Sequence, residues 1–287
     1  MSIVSARTEA EIVDAVRAAR EGRRTLEIVG GGTRRRFGRS VRCDDALDLS
    51  GLSGLVSYEP EELIVTVRPG TPLAEIEEAL AAKNQRLGFE PQDWRALLGS
   101  FGTPTIGGAI SANANGPAAI RFGRARDHLL GFRAVNGFGE AYRAGGKVVK
   151  NVTGFDLPKL MCGAMGTLGP LTELTFRVFP KSRAKIFALA TQDAAAVRRI
   201  AASPLEPTAL IYADGWAYVR LEGALAEKIA ILRGIGDFVE TDALPVSPLP
   251  EPPFPPEPPE RERLTRAVKA AFDPLGVFNP GRMYEGV

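Results

Sequence analysis

The residues Gly102-Thr-Pro-Thr-Ile-Gly-Gly-Ala-Ile-Ser-Ala-Asn-Ala-Asn-Gly-Pro117 form a run in which small side chains occupy almost every position. The run is too regularly patterned for a flexible linker, and its side chains are too small to fill a core. Because glycine has no Cβ, such a segment lets main-chain N–H groups come close to a flat or anionic ligand. We interpret this stretch as a ligand contact made by backbone rather than as a structural bend.

Two further glycine-rich runs flank the first, each near an apolar, strand-like segment. They are Val29-Gly-Gly-Gly-Thr33 upstream and Gly163-Ala-Met-Gly-Thr-Leu-Gly169 downstream. The upstream run directly follows a predicted strand, so its N–H groups could form an anion-binding nest with the Thr33 hydroxyl as an extra donor. A plain tight turn explains that run equally well, and it matches neither the dinucleotide fingerprint nor a phosphate loop. Together the three runs indicate one extended ligand that is touched at several points.

The composition is that of an ordinary globular protein. The chain has 287 residues, enough for one large domain or two moderate ones, with 45% apolar and 24% charged residues. A net charge of +2 gives no electrostatic argument for a nucleic-acid or membrane partner. The local basic run Arg34-Arg-Arg36 is typical of a solvated loop or a phosphate clamp rather than of a polybasic arm.

The number of cysteines and the length of the apolar segments indicate the cellular compartment of the protein and whether it binds a metal. Cys43 and Cys162 are too few for a disulfide framework or a metal cluster, which fits a reducing compartment. The sequence contains neither 18 consecutive apolar residues nor an N-terminal export pattern. We therefore expect a cytoplasmic protein with no transmembrane segment and no metal site.

Residues 1–88 alternate strands and helices, as expected of a small α+β subdomain. Thr8-Glu-Ala-Glu11 is a capping box for a helix that ends near Gly22, and a strand over Leu26–Val29 follows. Short strands are predicted near 45–49, 54–58 and 63–67. Thr71 is predicted to cap a helix that has Pro72 at its first position. That helix would turn three apolar residues inward, namely Leu73, Ile76 and Leu80.

The rest of the chain divides into four parts. Residues 89–182 form a second, glycine-rich subdomain with strands predicted over 129–136, 140–143 and 171–178. Residues 183–243 read as βαββαβ, the ferredoxin-like order, with a hairpin turn at Asp214-Gly215. Residues 244–259 are rich in proline and predict a stiff connector, with a docking peptide as the alternative. Residues 260–287 predict a closing helix and a turn-rich tail that returns to the first domain.

Taken in order, several short motifs resemble the flavin-binding domain of the vanillyl-alcohol oxidase/p-cresol methylhydroxylase (PCMH) superfamily. The motifs are Gly30 to Thr33, Thr105-Ile-Gly-Gly108, Arg126-Asp127 with Leu130-Gly131, Gly145-Gly146, Lys150-Asn151, Gly154-Phe-Asp-Leu157, Gly166-Thr-Leu-Gly169 and Phe278-Asn-Pro-Gly-Arg282. Within the superfamily, Phe89-Glu-Pro-Gln-Asp-Trp94, Gly116-Pro117 and the tail from Phe272 to Tyr284 are most similar to the FAD-binding subunits of glycolate oxidases. The resemblance covers roughly residues 5 to 182 and the tail.

The resemblance implies an α+β fold in which FAD lies extended between two α+β subdomains, with the ferredoxin-like unit as a short cap. It places the cofactor against the three glycine-rich runs. The pyrophosphate contacts would be Gly30, Gly31, Gly32 and Thr33; the pyrophosphate and ribityl contacts would be Thr105, Ile106, Gly107, Gly108, Ala112 and Asn113; and the adenosine or ribityl contacts would be Gly163, Gly166, Thr167 and Leu171. The FAD is expected to be non-covalent, because neither the Gly30 loop nor the Gly107 loop offers a His or Cys for a tether.

The expected role is that of an FAD-binding subunit in a multi-subunit 2-hydroxy-acid (glycolate-type) oxidoreductase. Its partners would be a catalytic FAD subunit and an iron–sulfur subunit, and it would transfer electrons or support that catalytic subunit. For the sole histidine, His128, a structural role is favoured over a catalytic one. No catalytic residue is therefore assigned. Lys150, Arg95 and Arg282 could stabilise a reduced flavin, although structural ion pairs are favoured for each. The alternatives are a self-sufficient small FAD oxidoreductase and a non-catalytic scaffold.

Overall fold

The computed structural model describes residues 1–147, 155–191, 194–249 and 253–287. The whole of one predicted motif, Lys150-Asn151, lies outside the described residues. So does Gly154, the first residue of another motif. The same is true of Asp193 in the predicted ferredoxin-like unit and of Pro250 and Pro252 in the proline-rich segment.

The first layer is a small parallel sheet covered by one helix. Its elements are β1 (Ser2–Ser5), α1 (Glu9–Glu21), β2 (Leu26–Val29) and β3 (Asp45–Asp48), with the strand order β1-β3-β2. The capping box is confirmed, because the Thr8 hydroxyl accepts from the Glu11 N–H and the Glu11 carboxylate accepts from the Thr8 N–H, both at 3.2 Å. Helix α1 buries Ile12 and Val16 against Leu47 of the sheet. This layer presents the C-terminal end of β2, where the upstream glycine-rich run, Val29 to Thr33, begins.

The second layer is a five-stranded antiparallel sheet with short helices around it. Its elements are β4 (Leu55–Glu59), β5 (Ile64–Val67), α2 (Leu73–Ala81), β6 (Gln85–Arg86), α3 (Arg95–Leu98), α4 (Ile106–Ser111), α5 (Ala119–Phe122), α6 (Ala125–His128), β7 (Leu129–Val135), β8 (Ala141–Gly145), α7 (Leu157–Met161), β9 (Leu171–Arg177) and β10 (Phe179–Pro180). The strand order is β4-β5-β9-β7-β8, and β6 pairs with β10 outside this sheet. The largest apolar core of the described residues lies here and includes Phe89, Ile106 and Leu174.

Two details differ from the sequence-based expectation. Because β5 pairs with β9, the second sheet draws strands from both sides of residue 88, where the sequence placed a boundary between subdomains. The prediction that Thr71 caps α2 is wrong. The Thr71 hydroxyl instead donates to the Arg68 carbonyl at 2.6 Å and accepts from the Gly54 N–H at 2.9 Å. Pro72 therefore occupies the cap position, and the helix buries Leu73, Ile76 and Leu80 as expected.

The third layer confirms the predicted ferredoxin-like unit. It consists of β11 (Ala184–Ala190), α8 (Ala194–Ala201), β12 (Ala209–Ala213), β13 (Trp216–Glu222), α9 (Leu225–Arg233) and β14 (Val239–Thr241), with the antiparallel order β12-β13-β11-β14. Asp214 and Gly215 both have positive φ (50° and 79°), as a type I′ hairpin turn requires. The expected α+β fold is thus confirmed.

A cluster of four charged residues connects the ferredoxin-like unit to the second layer. Arg86 pairs with Glu222 at 2.6 Å, and Arg220 pairs with Glu90 at 2.8 Å. All four side chains are largely withdrawn from solvent, so losing one partner would leave a poorly solvated charge. The cluster therefore favours a fixed orientation of the unit on the rest of the chain.

The C-terminal part lies back on the first two layers. The proline-rich segment packs its described residue Phe254 against Phe37 and Tyr284, with ring centroids 5.7 and 6.0 Å apart. Helix α10 (Pro259–Phe272) follows, and Phe278 then bridges Leu26 in parallel beside β2. The sequence did not predict that the proline-rich segment contributes to the apolar packing. Among the helices of the described ranges, none combines the length and apolar character needed to cross a membrane.

Candidate functional site

The three glycine-rich runs meet in one cleft between the first and second layers. The end of β2, the first turn of α4 and the loop before β9 supply its walls. The predicted site residues that line this cleft are Gly30, Gly31, Gly32, Thr33, Thr105, Gly107, Gly108, Ala112, Gly166 and Leu171. A ligand in this cleft would touch all three runs, as the sequence predicted.

The loop after β2 carries a row of free main-chain donors. Within the described residues, the N–H groups of Gly30, Gly31, Gly32 and Thr33 have no acceptor. The carbonyl groups of this loop are used locally, since the Gly32 carbonyl accepts from Arg35 and the Thr33 carbonyl accepts from Ser100. Consecutive unpaired N–H groups at a turn form a concave anion-binding nest. This arrangement favours the nest over the plain tight turn that the sequence left open.

The first turn of α4 supplies less backbone to a ligand than expected. Thr105 caps the helix, and its hydroxyl accepts from the Gly108 N–H at 3.3 Å. The Ile106 N–H donates to the Thr71 carbonyl at 3.0 Å, and the Gly107 N–H donates to the Pro69 carbonyl at 2.8 Å. Those two amides therefore hold α4 against the start of α2 and cannot also bind a ligand.

Gly31 and Gly107 are among the glycines of these runs at which a neighbouring segment leaves no room for a Cβ. A Cβ on Gly31 would lie 1.6 Å from the Thr103 carbonyl oxygen, and a Cβ on Gly107 would lie 2.6 Å from Pro69. Gly32, by contrast, has φ +72° and only the Arg35 side chain within 4 Å of its Cβ position. The interpretation that every glycine opens space for a ligand is therefore too broad, although it suits Gly32.

Four predicted site residues lie outside this cleft. Ile106 is fully buried in the core. Asn113 and Gly163 line a second cavity beside Trp94, which shares Ala112 with the first cleft. Thr167 lines a third cavity near α10, and its hydroxyl donates to the Ala164 carbonyl at 2.8 Å. The second cavity therefore adjoins the main cleft at Ala112, whereas Ile106 and Thr167 line neither of these two cavities.

The three consecutive arginines after the loop have three different environments. Arg35 forms an ion pair with Glu27, and exposed Arg36 donates to the carbonyls of Leu98 and Gly99. Arg34 is buried, donates to the Gln92 carbonyl at 3.0 Å, and lies 5.1 Å above the Trp94 ring. A local basic run does not reveal which side chain turns inward, so the sequence predicts no separate roles for the three arginines.

Of the three cations considered for a reduced flavin, two are described and both have structural partners. Arg282 donates to the carbonyls of Arg34 and Arg35 and so holds the loop that follows β2 in place. Arg95 forms an ion pair with Asp93 at 2.7 Å. The favoured structural interpretation holds for both, although the partners of Arg282 are carbonyl groups rather than a carboxylate.

Asn279 is a site residue that the sequence analysis included only within the resembling tail. Its side-chain carbonyl accepts from the Ile28 N–H at 2.8 Å, and its amide donates to the Met165 carbonyl at 2.6 Å. It therefore connects β2 to the downstream glycine-rich run, Gly163 to Gly169, and lines the cleft between them. No spacing in the sequence could show that this asparagine reaches two segments so distant along the chain.

His128 lies in an aromatic enclosure, away from the residues that line the cleft. Its ring packs at a tilt against Phe89 and edge-on against Phe179, and its Nε2 is 3.2 Å from the Gly123 carbonyl oxygen. Burial lowers its pKa below 6.5. Within the described ranges, no group of three His, Cys, Asp or Glu side chains could hold a metal ion.

We predict a pH-dependent contribution of His128 to stability. The unfolded chain protonates this histidine at higher pH than the folded chain, so the contribution is complete above pH 6.5 and is lost as the pH falls below it. Unfolding free energies of the wild type and of His128→Leu should therefore diverge in favour of the wild type as the pH rises from 5 to 7.5. Since the chain has one histidine, parallel curves would contradict the burial argument.

The N-terminal half of the chain matches a known protein family. A family model described as an FAD binding domain matches residues 2–145. Glycolate oxidase subunit GlcE of Escherichia coli is 36% identical over 216 residues, covering 74% of this chain and 60% of that protein. Glycolate oxidase subunit GlcD of Bacillus subtilis is 34% identical over 168 residues, covering 57% of this chain and 34% of that protein. The chain therefore spans between a third and three fifths of these relatives.

Solved structures give the same fold. Two crystal forms of an alkyldihydroxyacetonephosphate synthase superpose with TM-scores of 0.65 and 0.64. They are 18% identical and cover 81% and 83% of this chain, and 49% and 54% of theirs. The match to the FAD-domain model spans half of the chain and includes two of the three glycine-rich runs that meet at the cleft. The chain therefore belongs to the family of FAD binding domains that this model describes, and its cofactor is FAD.

Proposed function

We propose that this chain is the FAD-binding subunit of a multi-subunit 2-hydroxy-acid (glycolate-type) oxidoreductase. Its relatives include proteins named as two different subunits of glycolate oxidase, which supports a place in such an assembly. The observation that carries the proposal is the cleft itself, where a nest of free amides adjoins a wall of small residues. In this proposal a separate catalytic FAD subunit and an iron–sulfur subunit complete the enzyme, which acts in the cytoplasm.

The residues of the cleft fit a dinucleotide with a diphosphate at its centre. The amides of Gly30 to Thr33 would donate to the diphosphate oxygens, and each such bond to a charged group contributes about 1.5–3 kcal/mol. Gly166 and Leu171 would line one side of the bound cofactor. When bound, FAD supplies the electron-carrying chemistry, while the protein sets its orientation and potential. We propose residues 1–182 as the FAD-binding domain, 183–243 as its cap, 244–259 as the linker and 260–287 as the returning helix and tail.

A supporting or electron-transfer role suits this chain better than independent turnover. Histidine is the commonest general base for removing a proton from a substrate. The single histidine here is enclosed by Phe89 and Phe179, and its pKa is lowered by burial. We therefore propose that the substrate is oxidised on the partner flavoprotein, and that this chain passes electrons or supports that subunit.

The test combines a spectrum, a reduction assay and a pull-down from the native host. Purified chain should show flavin absorbance and should retain an oxidised flavin after anaerobic addition of glycolate or D-lactate. Addition of dithionite serves as the control that the flavin can be reduced. Co-purification of a larger flavoprotein and an iron–sulfur protein would support the assembly. Reduction by glycolate without partners would instead identify a self-sufficient oxidoreductase, and a colourless chain that binds no added FAD would identify a scaffold.

A further inference from the structure

Arg34 is a buried cation with no carboxylate partner among the described residues. Its side chain lines the cleft, and the residue is only 7% exposed. The nearest acidic influence is Asp93, which is held in an ion pair by Arg95. Burial lowers the pKa of the Arg34 guanidinium to about 10, so it remains charged at neutral pH. A buried unpaired charge is unfavourable unless something outside these contacts compensates for it.

The guanidinium lies between the two loops that form the proposed diphosphate site. Its Nη1 is 3.5 Å from the Thr33 hydroxyl and would be 3.9 Å from a Cβ on Gly108. Its Nη2 donates to the Gln92 carbonyl, and its buried Nε has no partner. A planar guanidinium with free donors matches phosphate oxygens well. The unpartnered Nε and the long contact of Nη1 therefore point to an anionic ligand at this position.

Comparison with two other arginines that are largely withdrawn from solvent separates Arg34 from a purely structural role. Arg86 also has an unpartnered Nε, but its other nitrogens pair with Glu222 and Glu90. Arg282 is buried without a carboxylate, but it donates to three backbone carbonyl groups of the loop. Arg34 combines burial with a single good acceptor, the Gln92 carbonyl.

We propose that Arg34 is the electrostatic anchor for the diphosphate of the bound dinucleotide and makes the site prefer FAD to flavins without a diphosphate. This inference rests on the FAD-binding function proposed above and adds to it the residue that positions the anion. The free amides of Gly30 to Thr33 supply directed hydrogen bonds, and Arg34 supplies the full positive charge.

The test uses the fluorescence of Trp94, which lies beside Arg34. The chain has two tryptophans, so Trp216→Phe in the ferredoxin-like unit leaves Trp94 as the only reporter. Dissociation constants for FAD, ADP and riboflavin are measured in this background for the parent, Arg34→Met, Arg34→Lys and Arg36→Met. Arg36 is the matched control, because it is two residues away in the same loop and is exposed.

We expect Arg34→Met to weaken FAD and ADP binding about ten- to hundredfold and to leave riboflavin binding unchanged. Arg34→Lys should retain part of the affinity because it keeps the charge, and Arg36→Met should bind all three ligands like the parent. The apo form of Arg34→Met should melt no lower than the parent, since an unpaired buried charge has been removed.

Two results overturn the inference. If the parent binds FAD and Arg34→Met binds it equally well, Arg34 does not anchor the diphosphate. If Arg34→Met loses riboflavin and FAD affinity equally and its apo form melts lower, the residue is structural. Failure of the parent to bind FAD at all is a different outcome, because it overturns the proposed FAD-binding function itself.

Discussion

Replacing Lys269 with methionine in the full chain is expected to lower the free energy of unfolding by about 3–5 kcal/mol. The Lys269 ammonium pairs with Asp273 at 2.6 Å and donates to the carbonyls of Thr167 and Phe278. Both side chains of the pair are buried, with 8% and 0% exposure. The substitution would leave the Asp273 carboxylate without its cation, although that carboxylate would keep the N–H groups of Val277 and Phe278.

A matched control lies one turn earlier on α10. Arg266 and Glu262 form a pair with the same spacing of four residues, but their side chains are about half exposed (48% and 49%). Arg266→Met should change the unfolding free energy by no more than about 1 kcal/mol, since exposed pairs contribute little. Urea unfolding of both variants gives the comparison. Equal effects for the two substitutions would contradict a burial-dependent role for Lys269.

Gly31→Ala is the second substitution with a large expected effect. The new Cβ would lie 1.6 Å from the Thr103 carbonyl oxygen, so the loop after β2 and the segment before α4 must move apart. We expect the unfolding free energy to fall by about 1–3 kcal/mol, as other overpacked sites do. FAD affinity should fall as well, because the four free amides of Gly30 to Thr33 would no longer keep their arrangement. Titration with FAD and urea unfolding measure the two effects.

Gly146→Ala serves as the control for that substitution. Gly146 is also a glycine outside helices and strands, but a Cβ there would meet nothing within 4 Å. It should bind FAD and unfold like the parent. If Gly31→Ala also matched the parent in both measurements, the close approach of the two loops would have no role in shaping the cleft.

The fold was accessible from the sequence where local chemistry and periodicity agree. Thr8 and Glu11 form the predicted capping box, and Asp214-Gly215 forms the predicted hairpin turn. The order βαββαβ was enough to predict the ferredoxin-like unit. Thr71 failed as a predicted cap because its hydroxyl bonds to Gly54 and Arg68 instead. The pairing of β5 with β9 also could not be predicted, because it joins strands about a hundred residues apart.

The site was predictable as a set of segments, but not as a set of individual contacts. The three glycine-rich runs do converge, yet the amides of Ile106 and Gly107 are already used by Thr71 and Pro69. Whether a glycine faces a ligand or a neighbouring loop depends on long-range packing, which composition does not encode. For the same reason the inward turn of Arg34 and the double bridge made by Asn279 were visible only in three dimensions.

A crystal structure of the chain with FAD tests the central claim most directly. We expect diphosphate oxygens about 3 Å from the amide nitrogens of Gly30 to Thr33, with the cofactor extending along the cleft toward Gly166. An FAD diphosphate bound elsewhere, with those four amides still without an acceptor, would contradict this prediction.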